Sequence, residues 1–179
     1  MIYHLFPPIK FLFSDVSKEN KLLRLDENDA DFVDVIHTDS LPSSTGPYKA
    51  LANFGCYYKL GHIDFFPNNG TAQPGCSTTW QDPTTSCSHG RARDYFVESI
   101  RNPNCFKAQA CSSWEVYENG GCKKNAIVKM GMGAQKPSQR ATMKYYLYTT
   151  DRKPFCFEDT MLCRIFGSVP VVPNSWVCQ

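Results

Sequence analysis

Three observations in the sequence predict an α/β protein with a disulfide-rich periphery. Residues 32–37 and 61–66 are short runs rich in β-branched and aromatic side chains, which predict two buried strands. In residues 90–101, apolar side chains recur at the three- and four-residue spacing of an amphipathic helix. Nine cysteines in 179 residues are too many for an ordinary reduced cytosolic domain and indicate disulfide bonds.

The remaining elements are shorter. A Pro-Asn-Asn-Gly turn at 67–70 closes the second strand. Residues 126–130 and 143–149 predict two late strands, and the period of two places Tyr146 and Tyr148 on one face. The sequence shows neither an internal repeat nor a low-complexity segment.

The predicted helix carries a histidine at its start. Ser88 is the predicted N-cap, and Asn102-Pro103 ends the helix. The positive end of the helix dipole next to His89 disfavours the imidazolium, which suits a general base that works near neutral pH. A structural role is the alternative for a lone histidine, so the residues alone make His89 a candidate.

Charge is distributed unevenly along the chain, although the formal net charge is only +2. Residues 1–99 carry 8 Lys/Arg against 12 Asp/Glu, a net of −4, and residues 100–179 carry 11 against 5, a net of +6. The basic half suits an anionic lipid or polysaccharide surface; a solvated basic face is the alternative. We expect no nucleic-acid partner, and no apolar run is long enough to span a membrane.

The cysteines predict a secreted protein. No Cys-x-x-Cys pair is present, so zinc-ribbon and thioredoxin readings have no support. Residues 1–13 are apolar but interrupted by proline, histidine and lysine, and no small-residue cleavage site follows. We therefore expect an atypical N-terminus at 1–13, with the true N-terminal part missing, a main domain at 14–155, and a Cys/Pro-rich tail at 156–179.

Several long motifs resemble one family. They are the run from Leu25 to Asp39 (LDENDADFVDVIHTD), the Gly-His-Ile-Asp-Phe-Phe-Pro-Asn run at 61–68, Gln73-Pro74-Gly75-Cys76, and Cys87-Ser88-His89 with its helix. In order and spacing these are similar to the pancreatic-lipase-type animal lipases. The resemblance implies the C-terminal part of an α/β-hydrolase fold with an incomplete sheet. It also implies a secreted, disulfide-bonded enzyme that cleaves lipid esters with a Ser-His-Asp triad and without a cofactor or metal.

The family's functional residues carry over at a few positions. His89 aligns with the catalytic histidine, a general base toward the serine and then a general acid toward the leaving alcohol. Cys76 and Cys87 align with the pair that bounds the lid loop, and Cys111 and Cys122 with the pair after the histidine helix. The resemblance leaves open the partners of the other five cysteines, which are Cys56, Cys105, Cys156, Cys163 and Cys178.

The lid loop, Ser77 to Ser86, is short. Ten residues that include Pro83 cannot form an amphipathic helix large enough to cover an acyl groove. In the family, a trimmed loop is typical of phospholipases A1 and a longer one of triacylglycerol lipases, so phospholipid or triacylglycerol is the expected substrate. Trp80 suits contact with the lipid interface; simple packing against the loop is the alternative.

Two members of the family triad are absent. No Gly-x-Ser-x-Gly occurs in these residues, and the place of the family aspartate falls near Pro7, which has no carboxylate. Asp39, which follows the first strand, is a hypothetical substitute acid; a turn-capping aspartate is the alternative. His37 and His62 are expected to be structural, because no recognised metal-ligand spacing includes them.

Three functions therefore compete. The first is a piece of a secreted lipid-ester hydrolase involved in lipid degradation, most similar to a phospholipase A1. The second is a catalytically inactive relative that binds lipid or polysaccharide, and the third is a structural or storage protein on the same scaffold.

Overall fold

The computed structural model describes residues 25–40, 55, 57–76 and 87–157. Within these residues lie five strands and two α-helices. In chain order they are β1 (Asp34–Ile36), β2 (Ile63–Pro67), α1 (Cys87–Arg101), β3 (Lys107–Cys111), α2 (Trp114–Glu118), β4 (Ile127–Lys129) and β5 (Lys144–Leu147). Two short 3-10 helices, Asn68–Gly70 and Gly131–Gly133, follow β2 and β4.

The five strands form one mixed sheet in the order β1-β2-β5-β3-β4. β1, β2 and β5 are parallel neighbours, whereas β3 is antiparallel to both β5 and β4. The carboxyl ends of the three parallel strands therefore meet at one edge of the sheet. A partial α/β fold, as predicted, is compatible with this architecture.

Alternate side chains of the strands enter separate apolar clusters on the two faces of the sheet, and Val35 of β1 belongs to a third cluster with Val33 and Leu60. Phe65 and Leu147 pack with Ala92 and Tyr95 of α1 on the first face. On the second face Phe66 and Tyr146 pack with Tyr117 of α2 and the Cys111–Cys122 disulfide, and Tyr148 lies against this core. The predicted placement of Tyr146 and Tyr148 on one face is confirmed.

α1 is longer than the sequence indicates. It begins at Cys87, so Ser88 lies inside the helix and the prediction that it is the N-cap is wrong. The physical reason is that the Ser88 hydroxyl accepts a hydrogen bond from Gln73 N at 3.0 Å. Ile100, the last apolar residue of the amphipathic pattern at 90–101, is 53% exposed, while Ala92, Tyr95 and Ser99 are buried.

Three disulfides cross-link the described residues. Cys76 pairs with Cys87 and Cys111 with Cys122, the pairs that the family resemblance implies. Cys105 pairs with Cys156, a connection that the sequence left open. This third bond joins the segment after β5 to the connection between α1 and β3. Cys56, Cys163 and Cys178 lie outside the described residues.

Candidate active site

His89 lies at the carboxyl edge of the parallel strands, in the first turn of α1. Its backbone carbonyl accepts a hydrogen bond of 3.4 Å from Oγ1 of Thr38, which follows β1. Burial lowers the pKa of His89 below its ordinary value, and the positive end of the helix dipole acts in the same direction. The neutral imidazole, the form that can accept a proton, is therefore favoured near neutral pH.

The first turn of α1 is held by residues 73–76. The backbone N–H of Gln73 donates to Ser88, Nη2 of Arg91 donates to the carbonyl of Pro74 at 3.3 Å, and Cys76 is bonded to Cys87. The partners in α1 are Cys87, Ser88 and Arg91, which flank His89 on both sides. A short non-helical segment thus fixes the part of α1 from which the imidazole projects.

Gln73 is itself fixed by its side chain. Nε2 donates to the carbonyls of Pro67 and Thr71 at 3.0 and 2.9 Å. Oε1 accepts from Asn68 Nδ2 at 2.8 Å and from the Tyr95 hydroxyl at 3.1 Å. Gln73 is 3% exposed, and both donor hydrogens and the acceptor oxygen of its amide are engaged, as a buried amide requires.

Two further residues complete this network at the ends of the strands. The Tyr95 hydroxyl lies 2.8 Å from Oγ1 of Thr149, and Asn68 Nδ2 donates to the same Oγ1 at 2.7 Å. Asn68 Oδ1 accepts from the backbone N–H of Thr149 at 3.1 Å. Burial raises the pKa of Tyr95 to about 12, so its hydroxyl stays protonated and can donate.

Asp39 occupies the same edge as His89. It follows β1 with a φ of 65° and is 6% exposed. Its backbone N–H donates to the carbonyl of Thr71 at 2.9 Å, and its own carbonyl accepts from Gly55 at 3.0 Å. The structure thus places the hypothetical acid one residue from Thr38, whose hydroxyl contacts the His89 backbone.

The other described histidines have structural contacts. His37 is buried, hydrogen-bonded through Nε2 to Asp64 Oδ1 at 2.8 Å, and its ring stacks on Phe66. Asp64 Oδ1 also accepts from the backbone N–H of Leu60 at 2.8 Å. His62 Nδ1 accepts from the backbone N–H of Val33 at 3.1 Å. These bonds hold the β1 and β2 segments together.

The described part of the chain shows no group of three or more His, Cys, Asp or Glu side chains that could hold a metal ion. None of its helices is long and apolar enough to cross a membrane. Trp80 and the rest of the loop at 77–86 lie outside the described residues.

Sequence reasoning missed the supporting residues of the site, which are Thr38, Asn68, Gln73, Tyr95 and Thr149. Thr38, Asn68 and Gln73 lie within motifs that the family resemblance includes, but nothing in those motifs assigned them to the site. Polar residues with no charge and no metal-ligand spacing give no chemical signal until the fold brings them together.

Comparison with known proteins agrees with the resemblance. The family model described as Lipase matches residues 8–155. The chain is 34% identical over 167 residues to "Inactive pancreatic lipase-related protein 1" of Canis lupus familiaris, covering 83% of this chain and 34% of that protein. Against "Pancreatic lipase-related protein 2" of Cavia porcellus the identity is 41% over 115 residues, or 64% of this chain and 24% of the relative.

A third relative is "Pancreatic triacylglycerol lipase" of Myocastor coypus. The identity is 33% over 154 residues, which cover 75% of this chain and 33% of the relative. The protein belongs to the lipase family, and within it to the pancreatic-lipase type. The chain spans about a third of the length of the first curated relatives that it matches.

Proposed function

We propose that this chain is the part of a secreted lipid-ester hydrolase that carries the catalytic histidine, with His89 as the general base. The observation that supports the proposal best is the position of His89 in the first turn of α1, at the carboxyl edge of three parallel strands. Desolvation favours its neutral form. Three disulfides suit a protein of the extracellular space.

The proposed chemistry is acyl transfer. His89 takes the hydroxyl proton of a serine while the serine oxygen attacks the ester carbonyl, and the imidazolium then protonates the leaving alcohol. Water hydrolyses the acyl-serine in the same way. Because no Gly-x-Ser-x-Gly occurs in these 179 residues, the proposal requires a serine from polypeptide outside this sequence. Asp39 is the proposed orienting acid, on the same edge as His89.

The proposed substrate is a phospholipid, cleaved at the sn-1 ester. The support is the ten-residue length of the loop between Cys76 and Cys87, which is too short to cover an acyl groove with a helical lid. A groove without such a cover admits a lipid with a bulky polar head. Triacylglycerol is the competing substrate within the same family.

The test is hydrolysis of a phosphatidylcholine with different acyl chains at sn-1 and sn-2 by the complete protein that contains this sequence. We expect release of the sn-1 chain and a fall in kcat of about 10²–10⁴-fold in His89→Ala, because general acid–base catalysis is lost. His62→Gln is the matched control, because His62 contacts backbone rather than the site. Asp39→Asn in the same assay tests the orienting acid.

Unchanged hydrolysis by His89→Ala would overturn the proposal.

A second function, that of an inactive lipid-binding relative, is favoured by the similarity to a protein named as inactive and by the basic second half of the chain. Vesicle binding by the complete protein without any ester hydrolysis would support this second function instead.

A further inference from the structure

Gln73 bonds both the first turn of α1 and the turn after β2. Its backbone contacts the first turn of α1, where its N–H donates to Ser88 Oγ at 3.0 Å. Its side chain contacts the ends of the strands, through the carbonyls of Pro67 and Thr71 and the side chain of Asn68. Gln73 thus bonds both the residue next to His89 and the residues of the turn after β2.

The contacts of the side chain are specific to an amide. Two backbone carbonyls need two N–H donors, and the Asn68 amide and the Tyr95 hydroxyl need an acceptor. Neither a carboxylate nor a thioether offers both functions. The bonds with Pro67 and Tyr95 are buried and those with Asn68 and Thr71 are partly buried, so water compensates little for the loss of one partner.

We propose that Gln73 is a positioning residue for His89, which sets the orientation of the first turn of α1 through Ser88. The inference rests on the proposed function only for its effect on catalysis, since the geometric effect on His89 is measurable without turnover. The same segment, residues 73–76, also carries the Pro74 contact to Arg91 and the disulfide to Cys87. A displacement of Gln73 should therefore also disturb the Pro74–Arg91 contact and the position of the Cys76–Cys87 disulfide.

The direct experiment is NMR titration of the His89 ring in the 179-residue chain and in its Gln73→Met variant. The chain has four histidines, so His89→Gln identifies the signal. Release of the first turn admits water to the ring, and because burial lowers the pKa in the parent, we expect the pKa of His89 to rise toward its ordinary value. A folded Gln73→Met chain with the parental His89 shifts and pKa would overturn the proposal.

Gln109→Met is the matched control. Gln109 lies in β3, is 2% exposed, and its Nε2 has no hydrogen-bond partner among the described residues. The residue type, the burial and the substitution are the same, but the contacts to the α1 turn are absent. We expect the His89 titration of this variant to match the parent, and an equal shift in both variants would show that general loosening of the core is responsible.

Two milder variants keep the test decisive if Gln73→Met does not fold. Ser88→Ala removes the acceptor next to His89, and Tyr95→Phe removes one donor to Gln73 together with the hydroxyl contact to Thr149. Both should move the pKa of His89 in the same direction as Gln73→Met. A Ser88→Ala chain with an unchanged His89 signal contradicts the proposed route.

The complete protein gives the catalytic readout. In Tyr95→Phe we expect kcat to fall by about tenfold or more with little change in KM, because a misplaced base slows the chemical step more than substrate binding. If His89→Ala leaves hydrolysis unchanged, the proposed function fails while the titration still decides the role of Gln73. If the titration shows no effect, the positioning role fails while His89 can still be the base.

Discussion

Two glycines near the site have opposite surroundings. Gly70 ends the turn after β2 with a φ of +69°, and an added Cβ would lie 2.7 Å from Cδ1 of Phe66 and 3.2 Å from the carbonyl oxygen of His37. Gly90 follows His89 in α1, and an added Cβ there would meet no atom of the described part of the chain within 4 Å. The same substitution therefore has opposite expected effects at the two positions.

We expect Gly70→Ala to lower the free energy of unfolding by about 1–3 kcal/mol, through left-handed strain and the collision with Phe66. Gly90→Ala should raise it by about 0.5–1 kcal/mol, since alanine is the better helix former. Urea denaturation of the two variants and the parent measures both effects. Equal midpoints for the two variants would contradict the prediction.

At the residue scale the sequence singled out His89 as a candidate but did not indicate the residues around it. The histidine has a chemical identity and a position before an amphipathic pattern, so it could be singled out. Gln73 and Tyr95 bond across 22 residues, and such contacts depend on where the chain turns back. Ser88 shows the limit of local prediction most clearly. Its hydroxyl suits an N-cap by residue type, but it accepts a tertiary hydrogen bond from Gln73 instead.

Among the secondary-structure elements, α1 depends on a covalent bond at its start. The Cys76–Cys87 disulfide and the Cys111–Cys122 disulfide both join residues 11 apart. In the chain-entropy model each stabilises the fold by about 3 kcal/mol, because the two closed loops have the same length. Only the first disulfide adjoins the turn that carries His89.

Replacing each pair with serine separates stability from positioning. We expect Cys76→Ser/Cys87→Ser and Cys111→Ser/Cys122→Ser to lose similar stability in urea denaturation, about 3 kcal/mol each. Only the first double variant should shift the NMR signal of the His89 ring. A shift of equal size in the second double variant would show that the first disulfide has no particular role at the site.

The elements were predictable where their pattern is local. Residues 32–37 and 61–66 contain β1 and most of β2, because buried strands have a distinctive composition. The strand order was not predictable, since β5 pairs with β2 across some eighty residues and places itself between β2 and β3. The Cys105–Cys156 bond spans 51 residues and is equally non-local.

For the whole molecule, the excess of positive charge in the second half of the chain has a consequence for lipid binding that can be measured. Residues 100–157 contain ten Lys/Arg and three Asp/Glu, a net of +7. Some of these cations have internal partners, as Arg140 donates to Glu27 at 3.0 Å and Lys144 lies over the rings of Tyr57 and Phe66. Lys123, Lys124 and Lys129 are exposed and remain available to an external anion.

We expect the chain to bind vesicles that contain anionic phospholipid more tightly than zwitterionic vesicles, and to lose the difference at about 0.5–1 M salt, where charges are screened. Lys124→Glu/Lys129→Glu should weaken the binding at low salt. Sedimentation with vesicles measures the bound fraction. Binding that depends on neither the salt concentration nor the lipid charge would indicate that the basic face is solvated and has no anionic partner.

The Cα atoms of Cys76 and Cys87 are 5.6 Å apart, so the ten residues between them leave and return at almost the same place. A closed loop of this kind can gain or lose residues without moving its anchors, and doubling its length costs only about 0.6 kcal/mol in chain entropy. We expect insertions and deletions in this loop to leave the first turn of α1, and with it His89, in place. Under the proposed function, the length of this loop can alter the substrate while the two cysteine anchors stay the same.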